Sequence, residues 1–201
     1  MKLLLFLSLL ITFPKTNHYR PSKTLTDTER NYAISQLEES REKLKAVLEG
    51  LTADQLAFKA SPDTWSMLEI MEHIVLAETG IGQIVAATLQ QPADSGRRKE
   101  IRVTDIQIRQ ILTNRTGKAT APEIIRPTGR FGNISLAKTF FDKARDKNIE
   151  LIRTTQEDLR ERYWQHPATG TIDLYQSILL ISAHCERHTA QIQEVIDSMK
   201  K

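Results

Sequence analysis

With a single cysteine, Cys185, the chain cannot build an internal disulfide framework, so its fold must rest on packing or on a bound metal. The apolar run at the N-terminus, Leu3 to Phe13, has eleven residues, well short of the roughly 20 that a membrane-crossing helix needs. Charge of one sign is scarce as well. The formal net charge is +3, and Lys2 and Lys15 lie in the N-terminal appendage. Without them the chain is close to neutral, which leaves no electrostatic footprint for nucleic acid. Arg97-Arg98-Lys99 sits in a Pro/Gly-containing stretch and reads as solvated loop. No alternating strand pattern rivals the helical ones and no internal repeat recurs, which argues against sheet-based and repeat architectures.

What is present suits a soluble globular chain. Its 201 residues are 40% hydrophobic and 26% charged, enough for one domain with a real core plus an appendage. Met1-Lys2, the eleven-residue apolar run and Pro14 match a secretory signal peptide. The division expected is therefore residues 1–20 as signal and tail and 24–201 as the folded domain, with export to the periplasm or medium. No small-x-small cleavage motif follows between Pro14 and Arg20, and a cytoplasmic protein with a frayed apolar tail is the alternative.

Four long helices are expected. Thr26 with Glu29 forms a capping box, and Leu37, Leu44, Val47, Leu48 and Leu51 follow at helical spacing up to a stop near Gly50. Thr52 and Gln55 cap a short turn before Ser61-Pro62. Ser66 with Glu69 opens the second helix, with Ile70, His73, Ala77, Ile81, Ile84 and Val85 facing inward. Gly80 and Gly82 there suggest a kink or a close helix approach, hence local irregularity. Residues 91–133 read as a long connection with a modest helix from Thr104 to Leu112. The third helix begins near Ser135 and presents Leu136, Phe140, Ala144, Ile149, Leu151 and Ile152. The fourth runs from Thr171 or Asp173 to Met199 along Leu174, Ile178, Ile181, His184/Cys185, His188, Ile192 and Val195. The expected fold is an all-α four-helix bundle with a long crossover between the second and third helices.

Three histidines lie on those apolar stripes. His184 and His188, one turn apart and about 40° apart around the axis, can reach one ion at about 2.0–2.1 Å. His-x-x-x-His is weak by itself, and His73 taken singly reads as a core histidine with a partner. Three inward imidazoles on two helices favour a divalent transition metal. A zinc peptidase is excluded, because His-Glu-x-x-His is absent: Cys185 stands where the glutamate belongs, and Glu186 turns away. Cys185 could be a soft fourth ligand, but a small core hydrophobe is the preferred reading. Glu69 could orient the His73 ring or only close its capping box, and Gln191 could touch a ligand or make an ordinary hydrogen bond. Trp65 and Trp164 read as core anchors that could wall a pocket, His166 as a loop residue, and His18 as part of the tail.

Taken together, Trp65-Ser66-x-x-Glu69-x-x-x-His73, then His166-Pro167-x-x-Gly170, then His184-x-x-x-His188-x-x-Gln191-Ile192 resemble the DinB-like superfamily of small metal-binding helical bundles. The resemblance covers roughly residues 32–196. It implies His73, His184 and His188 as metal ligands, with water or substrate completing the shell; Glu69, Gln191, Trp65 and His166 are candidates for supporting or pocket positions from the residue reading above. The resemblance also implies zinc or nickel as the ion. Similar proteins include transferases and isomerases that use a low-molecular-weight thiol, bacillithiol or mycothiol, which the metal activates as thiolate. The expectation is a metal-dependent enzyme, a thiol S-transferase or hydrolase, acting on a small-molecule substrate. The alternatives are a non-catalytic metal-binding bundle with a structural or stress-associated role, and a helical interaction protein without metal. A bundle of this size is also compatible with a homodimer.

Overall fold

Capping residues set where the helices begin. The computed structural model describes residues 24–117 and 120–200, and the expected export signal lies outside them. The helices are α1 (Asp27–Val47), α2 (Ala53–Ala57), α3 (Met67–Leu89), α4 (Asp105–Thr113), α5 (Ile134–Thr154) and α6 (Leu174–Ser198). Thr26/Glu29, Thr52/Gln55, Ser66/Glu69, Thr104/Gln107 and Asp173/Gln176 each close a reciprocal capping box, and Asn133 caps α5. Each pair satisfies backbone N–H groups that the helix start leaves orphaned, and a lost cap typically costs about 1 kcal/mol.

The four long helices form the bundle. α1 packs on α6 and α5, and α3 packs on α5 and α6. Directions follow from which residues meet. The Tyr175 hydroxyl donates to Glu29 O at 3.0 Å and the Cys185 thiol lies 3.6 Å from Ser40 O, so α1 and α6 run the same way. Lys45 pairs with Asp142 at 3.0 Å, while Arg30 reaches Ile152 O, so α1 and α5 oppose each other. Glu78 meets Arg145, and Gly82 meets Asn148 one turn on, so α3 and α5 run the same way. Residues 90–133 carry the chain from the end of one back to the start of the other, and α4 within them packs on α6.

The structure differs from the sequence reading in three places. A two-stranded antiparallel hairpin, β1 (Tyr163–His166) and β2 (Gly170–Asp173), stands where no strand is expected. Its strands are four residues each, too short for alternation to show. His166 therefore ends a strand instead of lying in a loop. The inward face of α5 is one residue off the expectation in its first half: Leu136 and Phe140 are 42% and 46% exposed, while Ala137, Phe141, Arg145 and Asn148 are buried, together with Ile149 and Ile152 as expected. Arg145 and Asn148 break the apolar period on the buried side, which shifts the apparent stripe. Finally, α3 runs unbroken through Gly80 and Gly82. Gly82 serves close approach, since a Cβ there would stand 2.8 Å from Asn148 Oδ1.

One buried polar cluster ties three helices together. The Arg145 guanidinium is fully buried and donates to both Glu78 oxygens at 2.8 Å, to Ser40 Oγ at 2.7 Å and to Leu37 O. Asn148 Nδ2 adds a bond to Glu78 Oε1 at 3.0 Å. Burial works against the Arg145 charge, but Glu78 overcomes it and its pKa rises.

Candidate metal centre

Two antiparallel elements supply the three histidines. His73 lies in the second turn of α3, and His184 and His188 lie on either side of the middle of α6. His73 Nε2 is 3.2 Å from His184 Nε2 and 3.2 Å from His188 Nε2. His73 and His188 are buried, and His184 is half-buried.

Hydrogen bonds fix which nitrogen faces the centre. His73 Nδ1 donates to Ile125 O at 2.8 Å, and His188 Nδ1 donates to Gln191 Oε1 at 2.8 Å. A neutral ring whose Nδ1 carries the proton has a bare lone pair on Nε2. Burial lowers the pKa of His73 and, with His73 beside it, pulls that of His188 down to about 3. Burial also holds His184 well below its ordinary value, and the charges of His188, His73 and His166 push the same way. The rings are neutral at physiological pH. The lone pairs of His73 and His188 therefore point at each other with no proton between them, an arrangement that repels unless a cation lies there. Tetrahedral Zn–N bonds of about 2.0–2.1 Å put ligand nitrogens about 3.3 Å apart, so the 3.2 Å separations fit a divalent ion.

The surrounding residues divide sharply. The Trp65 ring lies 4.9 Å from the His73 ring and forms a wall of the cluster. Gln191 is engaged by His188 within the same helix, a role the sequence reading did not assign to it. Glu69 does not orient His73. Its carboxylate accepts from Ser66 N at 2.8 Å and pairs with Lys59 at 2.8 Å, so only its capping role stands. Trp164 donates to Ser177 Oγ at 2.7 Å and packs on the core. His166 stands outside the three-histidine group: its Nδ1 lies 3.1 Å from Thr169 Oγ1 and its ring packs edge-on against Trp164. Cys185 is fully buried against α1, where burial pushes its thiol pKa up, and it is not part of the cluster. Glu186 is drawn to Arg109 at 2.9 Å and Lys43 at 3.4 Å. Arg187, between the two histidines of α6, donates to Leu112 O at 3.2 Å and to Asn114 O, fastening α4 beside the centre.

Sequence reasoning assigned residues 122–131 only loop character, with Arg126 and Arg130 as solvated charges that could contact an anion, and no link to His73. Ile125 O holds His73, and the buried Glu72 carboxylate, next in sequence, accepts from the backbone of Thr128, Gly129 and Arg130 at 2.9, 2.9 and 3.3 Å. One signal was available: Glu72 interrupts the apolar run of α3, where a charge needs a partner.

Comparison with known proteins agrees with this architecture. The sequence profile of the DinB superfamily matches residues 36–192. The uncharacterized protein YuaE of Bacillus subtilis (strain 168) is 26% identical over 154 residues, covering 77% of this chain and 91% of YuaE. Among solved structures, YfiT from Bacillus subtilis, described as a probable metal-dependent hydrolase with an unusual four-helix bundle topology, superposes with a TM-score of 0.58 at 20% identity. That match covers 90% of this chain and 94% of YfiT. TT2238, a four-helix bundle protein, gives a TM-score of 0.52 at 17% identity over 82% of this chain and 98% of its own.

Proposed function

The chain belongs to the DinB superfamily, and from that premise we propose that it is a divalent-metal-dependent enzyme acting on a small molecule, with His73, His184 and His188 holding the ion. The observation that carries this reading is the convergence of three ring nitrogens, those of His184 and His188 each 3.2 Å from that of His73, with the bare lone pairs of His73 and His188 facing each other. An ion in that position supplies Lewis acidity, which lowers the pKa of a thiol or a water brought to it.

The chain's own residues do the rest. Ile125 O and Gln191 Oε1 keep His73 and His188 in the tautomer that binds. Trp65 closes one side of His73. Among the described residues the cluster has three members, whereas structural zinc usually takes four protein ligands. That difference favours catalysis over a purely structural ion. The likeness to YfiT favours hydrolysis, and thiol S-transfer is the other chemistry that such a centre serves. Three imidazoles accept zinc and nickel alike.

Elemental analysis of untagged wild type beside a His184→Ala/His188→Ala variant tests the reading. Near-stoichiometric metal in the wild type alone supports it and names the ion for substrate screens. No metal in either protein after reconstitution overturns it.

A further inference from the structure

Glu72 is a carboxylate that the centre does not contact, and it is 3% exposed. Burying a charge is costly unless bonds replace its water. Here Oε1 accepts from Thr128 N at 2.9 Å and Arg130 N at 3.3 Å, and Oε2 accepts from Gly129 N at 2.9 Å. The Thr128 hydroxyl stands 3.5 Å from Oε1 and the Arg130 guanidinium 3.9 Å from it. Three successive backbone N–H groups aimed at one anion form a nest. Gly129, at φ +81°, takes the left-handed conformation that this turn needs.

The neighbouring residue grips the same segment. His73 Nδ1 donates to Ile125 O at 2.8 Å, so α3 holds residues 125–130 at two points. The His73 bond is a single one to a neutral carbonyl, whereas the Glu72 bonds are several and charge-assisted, which makes them the stronger of the two. We propose that Glu72 is a positioning residue for the three-histidine centre, acting through the 125–130 segment to keep Ile125 O on His73 Nδ1. It thereby holds the His73 tautomer and ring angle without touching the ring. This rests on the metal-binding reading above.

Glu72→Gln keeps the shape and removes the charge. Gly129→Ala strains the nest from the other side and leaves the carboxylate intact. Two readouts are needed: cobalt(II) affinity by chelator competition with its visible spectrum, and amide exchange at residues 128–130 in metal-free protein. The expected result is faster exchange in both variants, cobalt affinity lower by about 10–100-fold in each, an altered visible spectrum, and a double variant little worse than either single one. Wild-type affinity and spectrum in Glu72→Gln overturn the proposal and leave the metal reading standing. A loss in Glu72→Gln with none in Gly129→Ala also overturns it, because the charge would then act directly. Where Glu72→Gln does not fold, Gly129→Ala decides alone: wild-type affinity in it overturns the coupling through the segment. Cobalt binding absent from the wild type removes the metal reading, and this inference falls with it.

Discussion

Gln191 Oε1 accepts the Nδ1 proton of His188 at 2.8 Å from a position one turn further along α6. The pair forms within a single helix, so it is in place whenever that helix is. Gln191→Leu removes the acceptor and keeps the bulk. The expected outcome is zinc affinity lower by about 10-fold with unchanged helix content, measured by chelator competition and circular dichroism. Unchanged affinity would show that packing alone orients His188.

Arg145 and Glu78 are 0% and 1% exposed at their side chains. Removing one partner strands the other charge in the core. Arg145→Met should cost about 3–5 kcal/mol in urea unfolding, while Arg145→Met/Glu78→Leu should cost much less than the sum of the single changes. Additive losses would mean that the two charges do not depend on each other.

Gly80 and Gly82 occupy the same helix and should respond oppositely to alanine. A Cβ at Gly80 meets nothing within 4 Å, so Gly80→Ala should stabilise by up to about 1 kcal/mol through helix propensity. At Gly82 the new methyl would stand 2.8 Å from Asn148 Oδ1, and Asn148 is held by Glu78. Gly82→Ala should destabilise despite its better propensity, as thermal melts would show.

Asp173 is buried at the start of α6, and burial pushes its carboxyl up to about 6 even though Arg160 stands 3.2 Å away. The unfolded carboxyl titrates near 3.9. Between these values the folded chain binds more protons than the unfolded one. Stability contributed by this group is thus complete below about pH 4 and lost as pH rises through about 6. Asp173→Asn keeps a capping side chain and removes the titration. Between pH 4 and 7 the variant should gain on wild type by something on the order of 2 kcal/mol, read from urea unfolding at stepped pH. Parallel profiles would contradict the raised value.

The helices were legible because their starts are written locally: Ser66 and Glu69 announce α3 without reference to anything distant. The three histidines were legible for a similar reason, since each lies on a periodic stripe. What escaped is what depends on distant partners. Arg145 and Asn148 face inward because Glu78 is there to meet them, and no window of α5 contains that fact. Glu69 and Glu72 make the same point in reverse. Glu69 has the spacing of a residue that could orient His73 but is spent on its own cap, while Glu72 points at a loop some 56 residues away.

His184 and His188 can chelate from one helix, but His73 stands 111 positions from His184 in the chain. An ion held by all three is therefore a removable cross-link that closes a loop as long as most of the domain. Closing a loop of about 100 residues with a disulfide is worth roughly 4–5 kcal/mol of unfolded-state entropy in the simplest account. Metal supply would then govern how long each molecule survives as a folded species, alongside any chemistry it performs.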